Sequence, residues 1–335
     1  MKAMLLTRYA PIENRPLRLS DAPQPKLEAH QILVHIHCSA ICRTDLHLIE
    51  GELPQMMLPI IPGHQVVGIV EKLGASCRRF KPGQRVGIAW LRHTCGRCEF
   101  CRTGRENLCI FSRYTGYHEH GGYAEFAVVD EDFAYAIPQD LSDEEAAPLL
   151  CAGIIGYRAL KRCNLPTPGR LGIFGFGSSA HITTQVAIYQ GSQVYVATRS
   201  RSHQELARRL GASWVGDTCN SFPELVDGAI VFAPVGQIVP YALRAVKKGG
   251  TVVLAGIYMT PIPQLDYEPH LFHEKNLCSV EANTRQDGEE LLQIASQAGI
   301  KPTITTFGLA EANEALIRLK HDQLNGTGVL TVAGS

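Results

Sequence analysis

A thiol, a guanidinium, a hydroxyl, a carboxylate and an imidazole fall within one short run, Ile41-Cys42-Arg43-Thr44-Asp45-Leu46-His47. Two further residues with metal-ligating side chains lie downstream: His64, inside Gly63-His64-Gln65-Val66-Val67-Gly68, and Cys151, inside Cys151-Ala152-Gly153. Two thiolates and one imidazole suit zinc, which takes N and S donors readily. A set of three protein ligands leaves a fourth position to water or substrate, as a catalytic zinc requires. The alternative is three unrelated buried side chains, since free Cys often behaves as a small core hydrophobe. The remaining motifs weigh towards metal.

A second set is more compact. Cys95-Gly96-Arg97-Cys98-Glu99-Phe100-Cys101 is followed by Cys109, so two, two and seven residues separate four thiols. Four thiolates at this spacing wrap a tetrahedral ion and leave no position open, which describes a structural zinc in a lobe over residues 92–112. Arg92, His93, Arg97, Arg102 and Arg105 lie nearby and raise nucleic acid as a partner. Against it stand 32 basic and 32 acidic residues, a formal net charge of zero, and the lack of an extended basic stripe.

A third motif points to a dinucleotide. Leu171-Gly172-Ile173-Phe174 reads as a strand and leads into Gly175-Phe176-Gly177-Ser178-Ser179-Ala180, with a helix expected over His181 to Tyr189. This is the G-x-G-x-x-G/A pattern. Gly175 makes the tight turn, Gly177 lets backbone approach a pyrophosphate at the helix N-terminus, and Ala180 permits close helix–strand packing. A plain packing turn is the alternative, and the strand–turn–helix context argues against it. Past the next expected strand, Val194 to Ala197, the chain reads Thr198-Arg199-Ser200-Arg201. An acidic residue about 20 positions after the turn would bind the ribose 2′-hydroxyl of NAD, whereas Arg accommodates the 2′-phosphate of NADP. No Asp or Glu occurs between Gly175 and Glu205. The expectation is NADP(H) over NAD(H), with Arg199 and Arg201 pairing the phosphate and Thr198 and Ser200 donating to it.

The chain has 335 residues, of which 45% are hydrophobic and 19% charged, a length that suggests two domains. Residues 1 to about 129 read as β-rich. Period-two alternation runs from Val34 in Ile32 to His37, and further strands are expected over Val66 to Leu73 and Arg85 to Trp90. From about Gly153 the pattern becomes strand, helix, strand, helix. Short apolar strands are expected at Leu171 to Phe174, Val194 to Ala197, Ala229 to Phe232 and Thr251 to Leu254, which predicts a parallel, doubly wound sheet. Two helices and a last strand, Gly328 to Val332, are expected past Glu281. The domain reading is 1–152, 153–280, and 281–335 returning to the first. No signal peptide and no apolar run of ~20 residues is visible. With eleven Cys, four of them crowded together, the reading is a cytoplasmic metalloprotein that binds no membrane.

Together these motifs resemble the zinc-dependent alcohol dehydrogenases of the medium-chain dehydrogenase/reductase superfamily, along essentially the whole chain. The resemblance is closest to the shorter microbial members, with Trp90 just before the lobe and Tyr114-Thr115-Gly116-Tyr117 after it. It implies an α/β protein with a GroES-like β-rich catalytic domain and a Rossmann domain, working as a homodimer or homotetramer on a small alcohol or aldehyde. It further implies two zinc ions per chain: Cys42, His64 and Cys151 as catalytic ligands, and Cys95, Cys98, Cys101 and Cys109 as structural ones. Thr44 matches the hydroxyl that takes the alcohol proton, and His47 matches the relay to solvent. Arg43 matches a contact to the cofactor pyrophosphate, Trp90 a bulky residue lining the substrate pocket, and Asp45 the carboxylate that orients the zinc-bound His, a role chemistry also predicts.

Three positions depart from the family pattern. Gln65 stands where most members carry a Glu, to which the resemblance assigns a part in ligand exchange at zinc. Thr198 replaces the acidic residue of NAD-dependent members, and Thr327-Gly328 stands where an Arg often assists cofactor binding. Two rival readings are a zinc-free quinone or enone reductase on the same fold and a non-enzymatic dinucleotide sensor. The intact ligand set opposes the first; Thr44 and His47 in relay register oppose the second.

Overall fold

A computed structural model describes residues 1–54, 57–218 and 220–332. The last three residues of the expected 281–335 segment lie outside the described ones. The chain divides into two units. One comprises Met1–Cys151, Ala282–Ser296 and Pro302–Ser335; the other comprises Ala152–Glu281 and Gln297–Lys301.

The first unit is built on a seven-stranded sheet. Its order is Ile304–Gly308, Thr327–Thr331, Gln31–Ala40, Val66–Leu73, Arg85–Ile88 and Ala134–Ala136, and Phe126–Asp130 pairs with Gln31–Ala40 in addition. The long strand Gln31–Ala40 earns its central place through β-branched residues. Ile32, Val34 and Ile36 are fully buried and pack with Val66, Val70, Val86 and Ile88. Each such side chain contributes about 1.5–3 kcal/mol of burial. The pairings around this strand are antiparallel, and only Ile304–Gly308 lies parallel to its neighbour Thr327–Thr331.

The second unit holds six strands in the order Trp214–Gly216, Gln193–Ala197, Arg170–Phe174, Val226–Val231, Val246–Leu254 and Asn276–Ser279. Every neighbouring pair is parallel. In sequence order this is 3-2-1-4-5-6, the doubly wound order of a Rossmann fold. Parallel strands need crossover connections, and the helices Ser178–Tyr189, Arg201–Arg209 and Val239–Ala245 supply three of them.

Several boundaries differ from the expectation. The strand Arg85–Ile88 stops short of Trp90. The strand ending at Leu254 begins at Val246 rather than Thr251, because the glycine pair Gly249-Gly250 is carried inside it. The helix after the glycine turn begins at Ser178 rather than His181, since Gly177 is already its N-cap. Ile304–Gly308 was expected as no strand at all; its run Ile-Thr-Thr-Phe is β-branched and aromatic, and it pairs once Thr327–Thr331 is in place.

Candidate active site and metal centres

The register of the first unit's sheet brings three distant ligands together. The chain leaves the strand Gln31–Ala40 through Ile41, whose N–H donates to Gly328 O at 2.9 Å. Cys42 then caps the helix Arg43–Ile49. His64 arrives on the approach to the neighbouring strand Val66–Leu73, where Ser39 lies opposite Val66 and Ala40 N–H donates to Gln65 O at 2.9 Å. Cys151 follows the short helix Ala147–Leu150, whose Leu150 packs over Gly87. That glycine lies on the next strand, where a Cβ would come within 2.7 Å of the Leu150 methyl.

The ligand atoms of Cys42, His64 and Cys151 all lie within 4.8 Å of one another. His64 is 1% exposed, and its Nε2 is buried without a protein partner among the described residues. Buried polar atoms are nearly always paired, so this nitrogen beside two sulfurs fits a metal ion. Its other nitrogen, Nδ1, lies 2.9 Å from Asp45 Oδ1. As donor to the carboxylate, Nδ1 keeps the proton and leaves the Nε2 lone pair for a metal. Asp45 is buried and takes two more donors on Oδ2: Cys42 N–H at 2.8 Å and Tyr123 O–H at 2.9 Å.

Protonation follows from the same contacts. The hydrogen bond from Cys151, opposed by burial and helped by His64, draws the Cys42 thiol well below its ordinary value. That hydrogen bond and burial hold Cys151 well above its own. Burial opposes the charged imidazole of His64, but Asp45 and then Cys42 lift it to about 10. The cluster therefore holds protons that a divalent cation would displace.

The neighbouring candidates fall as follows. Thr44 is buried, with Oγ1 3.7 Å from Cys42 Sγ. His47 pairs through Nδ1 with Glu52. Arg43 is committed to Asp322 and reaches Leu319 O at 3.5 Å. Gln65 is fully buried beside His64. Trp90 stacks on Tyr114 at 4.9 Å between ring centroids and on Tyr117 at 5.8 Å, and its face or edge meets His64 at 4.9 Å and 71°.

The four-cysteine lobe is a local structure. The sulfurs of Cys95, Cys98, Cys101 and Cys109 lie within 4.8 Å of one another, and all four thiols are free of disulfides. Backbone N–H groups of Cys95 and Phe111 point at Cys109 Sγ, and that of Cys98 at Cys95 Sγ, each at 3.4 Å. Backbone N–H groups, that of Arg97 first, draw the Cys95 thiol down to about 6. Paired strands Leu91–His93 and Arg113–Tyr114 close the neck of the lobe.

In the second unit, Gly175 adopts φ +86° and donates its N–H to Ala197 O at 2.9 Å. The turn is thereby tied to the strand whose end carries Thr198. A Cβ on Gly175 would stand 2.9 Å from Ala233 N, whereas nothing lies within 4 Å of one on Gly177, which leaves that backbone open to a ligand. Ala180 is fully buried, and Ser178 starts the helix. Thr198 is buried and its N–H donates to Gly216 O. Ser200 caps the helix Arg201–Arg209. Arg199 and Arg201 are exposed and have no carboxylate partner among the described residues.

Sequence reasoning did not find Tyr123, Asp322 or Glu52. Gly121-Gly122-Tyr123 carries no chemical signature; its one hint is Gly63, at φ +97°, where a Cβ would meet the Tyr123 ring at 2.3 Å.

Residues 28–139 match the family model described as alcohol dehydrogenase GroES-like domain, and residues 180–297 match zinc-binding dehydrogenase. A Mycobacterium tuberculosis protein described as "Probable alcohol dehydrogenase AdhA" is 47% identical over 337 residues, covering 99% of this chain and 97% of the relative. An alcohol dehydrogenase of Geobacillus stearothermophilus is 34% identical over 99% of this chain and 100% of its own length. Among solved structures, a cinnamyl alcohol dehydrogenase from Sorghum bicolor matches with a TM-score of 0.89 at 28% identity, over 100% of this chain and 98% of that one. The chain belongs to the zinc-type medium-chain alcohol dehydrogenases, with a GroES-like domain and a Rossmann-like parallel sheet.

Proposed function

We propose that the enzyme catalyses reversible oxidation of small, slender primary alcohols to aldehydes with NADP(H), and carries two zinc ions per chain. Cys42, His64 and Cys151 would hold the ion that meets the substrate oxygen; Cys95, Cys98, Cys101 and Cys109 would hold the other. The observation that carries this reading is the buried His64 Nε2, without a protein partner, beside two thiols. When bound, zinc supplies a Lewis acid that lowers the pKa of an alcohol hydroxyl, and nicotinamide supplies the hydride acceptor. Thr44, buried next to Cys42, takes the hydroxyl proton and passes it towards His47, which Glu52 orients. Asp45 fixes the tautomer of His64. Arg43 would pair with the cofactor pyrophosphate by exchanging its bond to Asp322. The family resemblance also supports a homodimer or homotetramer in the cytoplasm.

The slender-substrate reading rests on the methyl of Thr44 and the bulk of Trp90. A second reading, an aromatic primary alcohol, is favoured by the likeness to cinnamyl alcohol dehydrogenases. A nicotinamide absorbance assay separates them. C2–C4 primary alcohols turned over faster than cinnamyl alcohol support the first, and the reverse supports the second. Faster turnover of bulky secondary alcohols would reject both. The cofactor reading is tested by kcat/KM for NADP(H) and NAD(H) in the wild type and in Arg199→Ala. Preference for NADP(H), reduced about tenfold by the substitution, is expected from loss of a charge-assisted phosphate contact. A preference for NAD(H) that Arg199→Ala leaves unchanged would reject it.

A further inference from the structure

The most heavily hydrogen-bonded carboxylate near the candidate zinc site is that of Asp45, and one of its donors comes from far along the chain. Tyr123 is fully buried and donates its O–H to Asp45 Oδ2 at 2.9 Å, across 78 positions of sequence. Its backbone is held on two sides: Tyr123 N–H donates to Pro62 O at 3.0 Å, and Tyr123 O accepts Met4 N–H at 2.8 Å. Its ring lies over Gly63, the residue before His64, in a space that any Cβ there would occupy. The phenol is therefore fixed in position independently of Asp45.

We propose that Tyr123 is a positioning residue of the three-ligand zinc site, holding Asp45 Oδ2 so that Oδ1 stays on His64 Nδ1 and His64 Nε2 stays aimed at the ion. The proposal rests on the reading that Cys42, His64 and Cys151 bind zinc. An Asp carboxylate turns broadly about its last torsion, and Cys42 N–H alone is a single hinge on Oδ2. With Tyr123 added, the two donors on Oδ2 and the one on Oδ1 define the carboxylate plane. Inside a dry site each of these bonds is strengthened by the low dielectric, and losing one leaves a buried charge under-solvated. Partners of this kind behind a metal-bound His govern metal affinity.

The test is zinc release from the intact enzyme to a chromogenic chelator, in the wild type, Tyr123→Phe, Asp45→Asn and the double variant. Phe keeps the ring and its packing and removes only the hydroxyl. Cys42→Ser identifies which release phase belongs to the three-ligand site. Tyr123→Phe is expected to speed that phase about tenfold, the low end of the range for such partners, and to leave the lobe phase unchanged. If Tyr123 acts through Asp45, the double variant releases no faster than Asp45→Asn alone. A merely structural role would move both phases together, or multiply the two effects, and either result would overturn the proposal, as would an unchanged release rate in Tyr123→Phe. A wild type with one zinc, retained in Cys42→Ser, would instead overturn the three-ligand reading and the proposal with it.

Discussion

The three-ligand cluster and the four-cysteine lobe use thiols in opposite settings. In the lobe, four sulfurs come from one continuous segment of fifteen residues, and backbone N–H groups, those of Cys95, Cys98 and Phe111 among them, point at two of them. Three of the four are half-buried, as are Cys42 and Cys151 of the cluster, so exposure of the thiols is not what separates the two sites. In the cluster, the ligands come from three segments that meet only because the strands Gln31–Ala40, Val66–Leu73 and Arg85–Ile88 are in register. His64 is buried and braced by Asp45, and among the described residues the cluster offers three donors. A locally wrapped set saturates an ion and takes its stability from it; a set carried on a sheet exists before the ion arrives and leaves a position for chemistry.

This contrast is broken most forcefully at Cys98. Cys98→Ala should strip the lobe of its ion and lower the melting temperature sharply, since binding of a structural zinc is folding free energy, on the order of 10 kcal/mol in isolated zinc peptides. Calorimetry showing a wild-type melting temperature would contradict the assignment. Cys42→Ala should do the reverse: turnover falls at least about a thousandfold, as removal of several kcal/mol of charge stabilisation requires, while the melting temperature stays within a few degrees. Unfolding of Cys42→Ala would erase the distinction.

A smaller effect sharpens it. His47→Ala should retain both zinc ions and lose alcohol oxidation about a hundredfold, the low end for general acid–base groups. The loss should be deepest at low pH, because hydroxide becomes available to take the proton directly as pH rises. A pH–rate profile and a zinc determination check both parts, and loss of the three-ligand zinc would show that His47 serves the metal instead.

The smallest concerns how the lobe is moored. Glu106 lies inside it, is 8% exposed, and accepts the backbone N–H of Arg285 at 3.0 Å. Glu106→Gln should cost about 1–3 kcal/mol by weakening a charge-assisted bond, seen as a lower melting temperature, with kcat unchanged. A fall in kcat at unchanged stability would tie the lobe to catalysis.

What the sequence made legible follows the same division. The lobe is readable from spacing because its ligands are local. The alternation of strand and helix after Gly153 is readable because parallel strands are buried on both faces and run apolar. That Cys42, His64 and Cys151 should meet is not in their spacing; their donor types raised it, resemblance strengthened it, and strand register is the physical reason. Tyr123 stayed hidden because a buried Tyr ordinarily signals packing, and its hydroxyl acquires meaning only once 78 positions of chain are folded back on Asp45. Arg43 was visible as a cation, but its bond to Asp322 spans 279 positions and left no local trace.

Zinc content, determined by elemental analysis on active wild-type enzyme and on Cys42→Ala purified beside it, tests the central claim most directly. Two zinc ions per chain in the wild type and one in the variant are predicted; a single zinc in the active wild type, or two in Cys42→Ala, would contradict the division of labour between the two thiol sites.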